Sequence, residues 1–137
     1  MHLAHHLTAI GRLHTEPGAR VAELRTADPD PDGDPVELLE AEREVRADHE
    51  ALVVLLSQQW GEPRTVDLGG HLLAAAEGRV RLPEPERTLC WRVAELTVWT
   101  VEGRWIGVGL ARRSEEIPLQ LLAAVGEQGS SAPSDLG

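Results

Sequence analysis

Apolar positions recur at helical spacing between residues 35 and 60, the most regular stretch of the chain. They follow one another at intervals of three, four or seven and therefore share one helix face: Leu38, Val45, His49, Leu52, Leu56 and Trp60. At ~1.5 Å per residue such a helix is about 40 Å long. The pattern predicts a single amphipathic helix, which we expect to form the spine of the domain.

Both ends of this helix carry local signals. Asp34 is a residue type that caps helices, Pro35 suits the first helical position, and Glu37 completes the Asp-x-x-Glu spacing of a capping box. Gly61 and Pro63 are typical of a helix C-terminus. The helix is therefore expected to begin at Pro35 and to end just before Gly61.

Apolar and polar residues alternate over residues 96–110, on either side of Glu102-Gly103. This alternation indicates a β-hairpin with a two-residue turn. The turn sets three facing pairs: Val101 with Arg104, Trp99 with Ile106, and Thr97 with Val108. One face of the hairpin then carries the residues that we assign to the core beneath the long helix: Trp99, Val101, Ile106, Val108 and Leu110.

The opposite face of the hairpin carries Leu96, Val98 and Trp105 beside Gly107 and Gly109. Small residues leave a shallow surface that a large partner can approach closely, and an exposed aromatic side chain can anchor that partner. We therefore predict a partner-binding surface at these five residues. The alternative is that the N-terminal helix packs there and buries Trp105.

Shorter patterns complete the assignment. They predict a helix over residues 2–14, a strand or short helix at 19–26, a strand at 64–68, and a short helix or irregular segment at 71–77. EIPLQLLAAV (116–125) predicts a third strand that lies at an edge or starts at Pro118, because proline cannot donate to a β-ladder; a helix from Pro118 is the alternative. The sequence thus predicts an α+β fold, with a long amphipathic helix packed on an antiparallel β-meander and a short N-terminal helix.

Asp and Pro alternate just before the long helix. Four residues occupy the first, third, fifth and sixth positions of a calcium loop: Asp28, Asp30, Asp32 and Gly33. The twelfth position, where such a loop needs a bidentate carboxylate, is Leu39. Because the prolines also favour an extended segment, we interpret this stretch as a stiff acidic linker.

These patterns divide the chain into four predicted parts. They are an N-terminal helical segment at 1–27, an acidic Pro-rich linker at 28–35, an α+β core at 36–126 and a disordered tail at 127–137. With 137 residues, of which 42% are hydrophobic, the chain is large enough for one folded domain. All thirteen basic residues are Arg, and Lys, Asn, Phe and Tyr are absent, which indicates a GC-rich bacterial genome.

The formal net charge of −10 argues against a nucleic-acid-binding protein, since phosphate neutralisation needs clustered cations. It suits a cytoplasmic protein and would steer a basic partner toward the surface. Cys90 is the only cysteine, so no internal disulfide forms and a reducing compartment is expected. No apolar run approaches the ~20 residues of a membrane span, and no signal peptide is indicated.

Three histidines near the N-terminus, His2, His5 and His6, are candidate metal ligands. His2 and His6 share a helix face at a spacing of four, which can chelate a transition metal such as zinc or nickel. No carboxylate or cysteine lies nearby in sequence to complete the coordination shell. The alternative is a polar helix face that happens to carry histidine.

Catalytic residues are indicated only weakly. His49 lies on the apolar face of the long helix, where a buried neutral imidazole is the default and a catalytic base the alternative. Cys90 lies in TLCWRV, where a strand would bury it as a small hydrophobic residue. A nucleophile pair of Cys90 with His49 or His71 needs a proximity that the sequence does not reveal. No phosphate loop, dinucleotide fingerprint or serine elbow is present.

The chain resembles a loose class of small bacterial α+β proteins, among them immunity proteins and secretion-chaperone-like modules. The likeness lies in a long helix that ends at WGEP (60–63), the hairpin VWTVEGRWIGVGL (98–110) and the segment EEIP (115–118). It spans residues 36 to about 125. The resemblance assigns a catalytic role to none of the residues in these motifs. The resemblance implies that a binding role is more common than an enzymatic one.

Two functions are therefore expected, from different classes. The first is a non-enzymatic interaction domain whose partner is another protein, in the sharpest form a basic toxin, or a second copy of the chain. The alternative is a transition-metal-binding protein that uses His2, His5 and His6 to hold zinc or nickel.

Overall fold

The computed structural model describes residues 3–27, 33–78, 86–111, 118–127 and 129. The elements in these ranges are α1 (Leu3–Thr15), β1 (Arg20–Thr26), α2 (Pro35–Trp60), β2 (Arg64–Asp67), α3 (Gly69–Ala76), α4 (Glu86–Arg92), β3 (Glu95–Val101), β4 (Arg104–Ala111) and β5 (Gln120–Val125). The α+β class is confirmed. The calcium-loop residues Asp28, Asp30 and Asp32, and most of the predicted tail, lie outside the described residues. No helix of the described ranges is long and apolar enough to cross a bilayer.

Helix α2 has the length and the ends that the sequence predicts. It runs for 26 residues without a break. The Asp34 carboxylate accepts a hydrogen bond of 2.6 Å from the backbone N–H of Val36, which satisfies one of the unpaired donors at the helix N-terminus. At the other end, the backbone N–H of Gly61 donates to the carbonyl oxygen of Ser57 at 2.9 Å. Gly61 has a φ of +92°, which glycine adopts without strain.

All five strands of the described chain join one antiparallel sheet in the order β1-β5-β4-β3-β2. The hairpin of β3 and β4 has the predicted register, with Trp99 opposite Ile106. Its turn places Glu102 at φ +52° and Gly103 at φ +78°. Two successive positive φ angles are typical of the two-residue turn whose twist matches that of the strands.

The sheet also decides two alternatives that the sequence leaves open. Residues 20–26 form the edge strand β1 and not a helix. The segment after Pro118 forms β5, so the helix alternative is wrong. β5 lies between β1 and β4 and begins at Gln120, which leaves Pro118 outside the ladder, where its missing N–H breaks no hydrogen bond.

One face of the sheet is covered by α1 and α2, and this face is the predicted core. Ile10 and Leu13 of α1 and Val45, Leu52 and Leu56 of α2 are buried there. The predicted sheet residues pack with them: Trp99, Ile106 and Val108 are buried, and Val101 and Leu110 are partly buried. The prediction that the long helix shields this side of the hairpin is confirmed.

The other face is covered by α3 and α4, so the protein has three layers. Leu89 and Cys90 of α4 share a buried cluster with Leu96, Val98 and Trp105 of the sheet. The prediction that Leu96, Val98 and Trp105 form an exposed face is therefore wrong, and α1 is not the element that covers them. Cys90 lies in a helix and not in the predicted strand.

Arg104 ties the N-terminal segment to the sheet. Its side chain is buried, and the guanidinium donates hydrogen bonds of 2.5–2.8 Å to four backbone carbonyl oxygens: those of His14, Glu16, Gly18 and Gly126. A cation is favourable here because the last carbonyls of a helix, in this case α1, lack partners within the helix. The described part of the predicted segment 1–27 thus packs on the same core as the rest of the chain.

Candidate functional site

The glycines of the predicted partner surface serve internal packing. A Cβ atom at Gly107 would lie 2.9 Å from the side chain of Leu96, and one at Gly109 would lie 2.7 Å from that of Val93. Both distances are far shorter than an ordinary carbon–carbon contact. The space that a larger residue would need is therefore filled by neighbouring side chains of the protein. All five residues of the predicted surface are buried, and none of them is presented to a partner.

Two large apolar side chains are exposed one layer further out, on the helices that cover this face. Trp91 of α4 is 61% exposed, and Leu73 of α3 is 55% exposed. Leu89 and Cys90, which precede Trp91 in the same short helix, are fully buried. Trp91 therefore lies on the side of α4 that faces away from the sheet. We call Leu73 and Trp91 the α3–α4 patch.

Carboxylates lie at both ends of α3. Asp67, the last residue of β2, lies two positions before α3 and accepts a hydrogen bond of 2.8 Å from the backbone N–H of Gly69. Glu77 follows α3. Both acidic residues are exposed. The α3–α4 patch thus combines large apolar side chains with acidic neighbours in the adjoining turns.

Of the predicted histidine cluster, the structure describes His5 and His6, and it gives them different surroundings. His6 is almost fully buried, and its Nε2 donates to the carboxylate of Asp48 on α2 at 3.0 Å. His5 is exposed, and His2 lies outside the described residues. Among the residues that the structure describes, no group of three or more His, Cys, Asp or Glu side chains is placed to hold a metal ion.

Asp48 joins three elements through its carboxylate. Arg25 of β1 donates to the same Asp48 oxygen at 2.9 Å and to Glu44 of α2, also at 2.9 Å. Burial alone would raise the pKa of Asp48. The hydrogen bonds from His6 and Arg25, with the charge of Arg25, outweigh burial and hold that pKa below its ordinary value. The network links α1, β1 and α2 and leaves His6 no access to a substrate.

A cleft of about 320 Å³ opens where α2 meets the ends of β3 and β4. We call it the His49 cleft, and its lining residues are Arg46, His49, Ala94, Glu95, Leu110, Ala111 and Leu119. Burial lowers the pKa of His49, while the nearby charge of Glu50 acts in the opposite direction. The imidazole is therefore neutral near pH 7 and can both donate and accept a hydrogen bond.

The structure does not bring Cys90 and His49 together. Cys90 is buried in the layer of α3 and α4, whereas α2, which carries His49, lies on the other side of the sheet. His71 of α3 is also buried. A thiol enclosed by apolar side chains is an inert structural cysteine and not a nucleophile that a substrate can reach.

Comparisons with protein-family models, with curated proteins and with solved structures find no significant match to this chain. The geometry of its own residues is therefore the basis for assigning a function.

Proposed function

We propose that the protein is a non-enzymatic protein-binding domain whose partner docks on the α3–α4 patch. The exposure of Trp91 carries this proposal. Burial of a large apolar side chain releases free energy, and tryptophan is prominent among the residues that dominate binding at interfaces. An indole that is 61% exposed in the isolated chain can supply that free energy when a partner covers it. Leu73 is exposed on the neighbouring helix α3 and would add to the apolar contact.

The charge of the protein favours a basic partner. The chain carries a formal net charge of −10, and Asp67 and Glu77 adjoin helix α3 of the patch. Opposite charges around an apolar centre accelerate association and help to select the partner. An immunity-like role against a basic toxin is the most specific form of this proposal, and a chaperone-like role toward a basic protein is the alternative form.

A pair of matched variants tests the docking surface. The double variant Trp91→Ala, Leu73→Ser removes the α3–α4 patch. The control, Val54→Ala, removes a side chain that is 52% exposed on α2, at the opposite side of the sheet. Tagged proteins are used to capture partners from the native host, and each retained partner is then purified and titrated. We expect binding to be weakened about 100-fold by the double variant and unchanged by the control.

Equal binding by all three proteins would contradict the proposed surface. The titrations are repeated at increasing salt, because screening weakens attraction between exposed charges. A partner whose affinity does not fall with salt would exclude the basic-partner form. Analytical ultracentrifugation of the chain alone measures self-association; a dimer that the double variant abolishes would identify the partner as a second copy.

A further inference from the structure

The His49 cleft has polar groups on both of its walls. Arg46 and His49 lie one turn apart on α2, and Glu95 belongs to β3 of the sheet. Within the described part of the chain, none of these three side chains forms a hydrogen bond or an ion pair. Arg46 and Glu95 are exposed, whereas His49 is half-buried, a position at which a polar side chain is normally paired. A ligand in this cleft would complete the hydrogen bonding of His49 and pair with the charges of Arg46 and Glu95.

The other lining residues that the structure describes are apolar. Leu110 and Leu119 come from the sheet face under α2, and Ala94 and Ala111 complete the wall. An apolar lining with a few convergent polar groups is typical of small-molecule sites. A volume of about 320 Å³, at ~30 Å³ per water-sized group, holds roughly ten non-hydrogen atoms. A volume of this size suits a small metabolite.

We propose that the His49 cleft binds a small zwitterion of the amino-acid type with an apolar side chain. The guanidinium of Arg46 pairs with the carboxylate of the ligand, and the neutral imidazole of His49 donates a second hydrogen bond to it. Glu95 pairs with the ammonium group. The apolar side chain of the ligand lies on Leu110 and Leu119. Because Arg46 and Glu95 carry opposite charges, a ligand whose two ends carry the same charge is excluded.

This site is distinct from the α3–α4 patch, because Trp91 and Leu73 do not line the cleft. A failure of the ligand-binding test therefore leaves the protein-binding proposal standing, and a failure of the protein-binding test leaves the ligand-binding proposal standing. Arg46 and Glu95 are exposed, and no hydrogen bond or ion pair joins their side chains to another described residue, so their variants are expected to fold normally.

Three related probes test the proposal by NMR titration of the labelled full chain: phenylalanine, phenylacetate and phenethylamine. We expect phenylalanine to bind saturably and at least about tenfold more tightly than either probe that lacks one charge. Arg46→Ala should weaken phenylalanine about tenfold or more, and Glu95→Gln should reduce its affinity to that of phenylacetate. The matched control is Arg43→Ala. Arg43 is an exposed arginine of the same helix that does not line the cleft, so its replacement should leave the affinity for phenylalanine unchanged.

Four results would overturn the proposal. They are the absence of saturable shifts up to about 10 mM of every probe, shifts that lie outside the cleft, phenylalanine affinity that Arg46→Ala leaves unchanged, and equal affinity for phenylalanine and phenylacetate.

Discussion

His6 of α1 and Asp48 of α2 form a buried hydrogen bond of 3.0 Å, although they lie 42 positions apart in the chain. Arg25 of β1 donates to the same carboxylate oxygen at 2.9 Å. One acidic side chain thus holds the N-terminal helix and the edge strand against the long helix. In a low-dielectric interior such a network is strong when every member is paired and costly when one member is lost.

Replacing Asp48 should destabilise the fold. Asp48→Ala leaves His6 and Arg25 facing a buried site without their acceptor, and we expect a loss of about 3 kcal/mol in the free energy of unfolding. Urea denaturation followed by circular dichroism measures this loss. Glu40→Gln, an exposed carboxylate on the same helix, is the control and should stay within about 0.5 kcal/mol of the parent protein. An Asp48→Ala variant with the same free energy of unfolding as the parent protein would show that the network does not stabilise the fold.

Acid should remove the contribution of Asp48 over a defined range of pH. The pKa of Asp48 lies below its ordinary value of 3.8 in the folded protein. The folded state therefore binds this proton less readily than the unfolded state, so the stabilisation is complete above pH 3.8 and is lost as the pH falls through the folded pKa. The difference in unfolding free energy between the parent protein and Asp48→Asn should shrink progressively as the pH falls below about 4. A difference that is constant over this range would refute the lowered pKa.

Gly126 should tolerate no side chain. A Cβ atom there would lie 1.9 Å from Nε1 of the buried Trp105, so Gly126→Ala forces the indole or the backbone to move. We expect the free energy of unfolding to fall by about 2 kcal/mol and the near-ultraviolet circular dichroism spectrum to change. Gly11 is the matched control, because it lies in α1 with nothing within 4 Å of its Cβ position. Gly11→Ala should stabilise the protein by about 0.5–1 kcal/mol. If both variants changed the free energy of unfolding in the same direction, the close packing of Trp105 on Gly126 would be contradicted.

The elements that could be predicted from the sequence have local signals. Asp34 and Pro35 mark the start of α2, and Glu102-Gly103 fixes the register of β3 and β4, because capping and tight turns depend on neighbouring residues only. The covering of Trp105 depends on where the chain goes between β2 and β3. There it forms two helices of eight and seven residues, too short for a clear helical period.

The candidate sites were harder to predict for a related reason. Trp91 is identified as exposed only once Leu89 and Cys90 are known to face the sheet. The His49 cleft joins residues from α2, β3, β4 and the segment before β5, which are distant in sequence. His6 has a metal-ligand spacing to His2, but its partner, Asp48, becomes visible only in the folded structure.

We propose that a partner contacts the protein through Trp91. Site-specific photo-crosslinking tests it most directly: a benzophenone amino acid replaces Trp91 in one protein and Val54 in another, and each full-length protein is irradiated in extract of the native host. We predict that position 91 gives one discrete crosslinked species, containing a basic protein, and that position 54 gives none. Crosslinking from position 54 alone, equal crosslinking from both positions, or none from position 91 would contradict the claim.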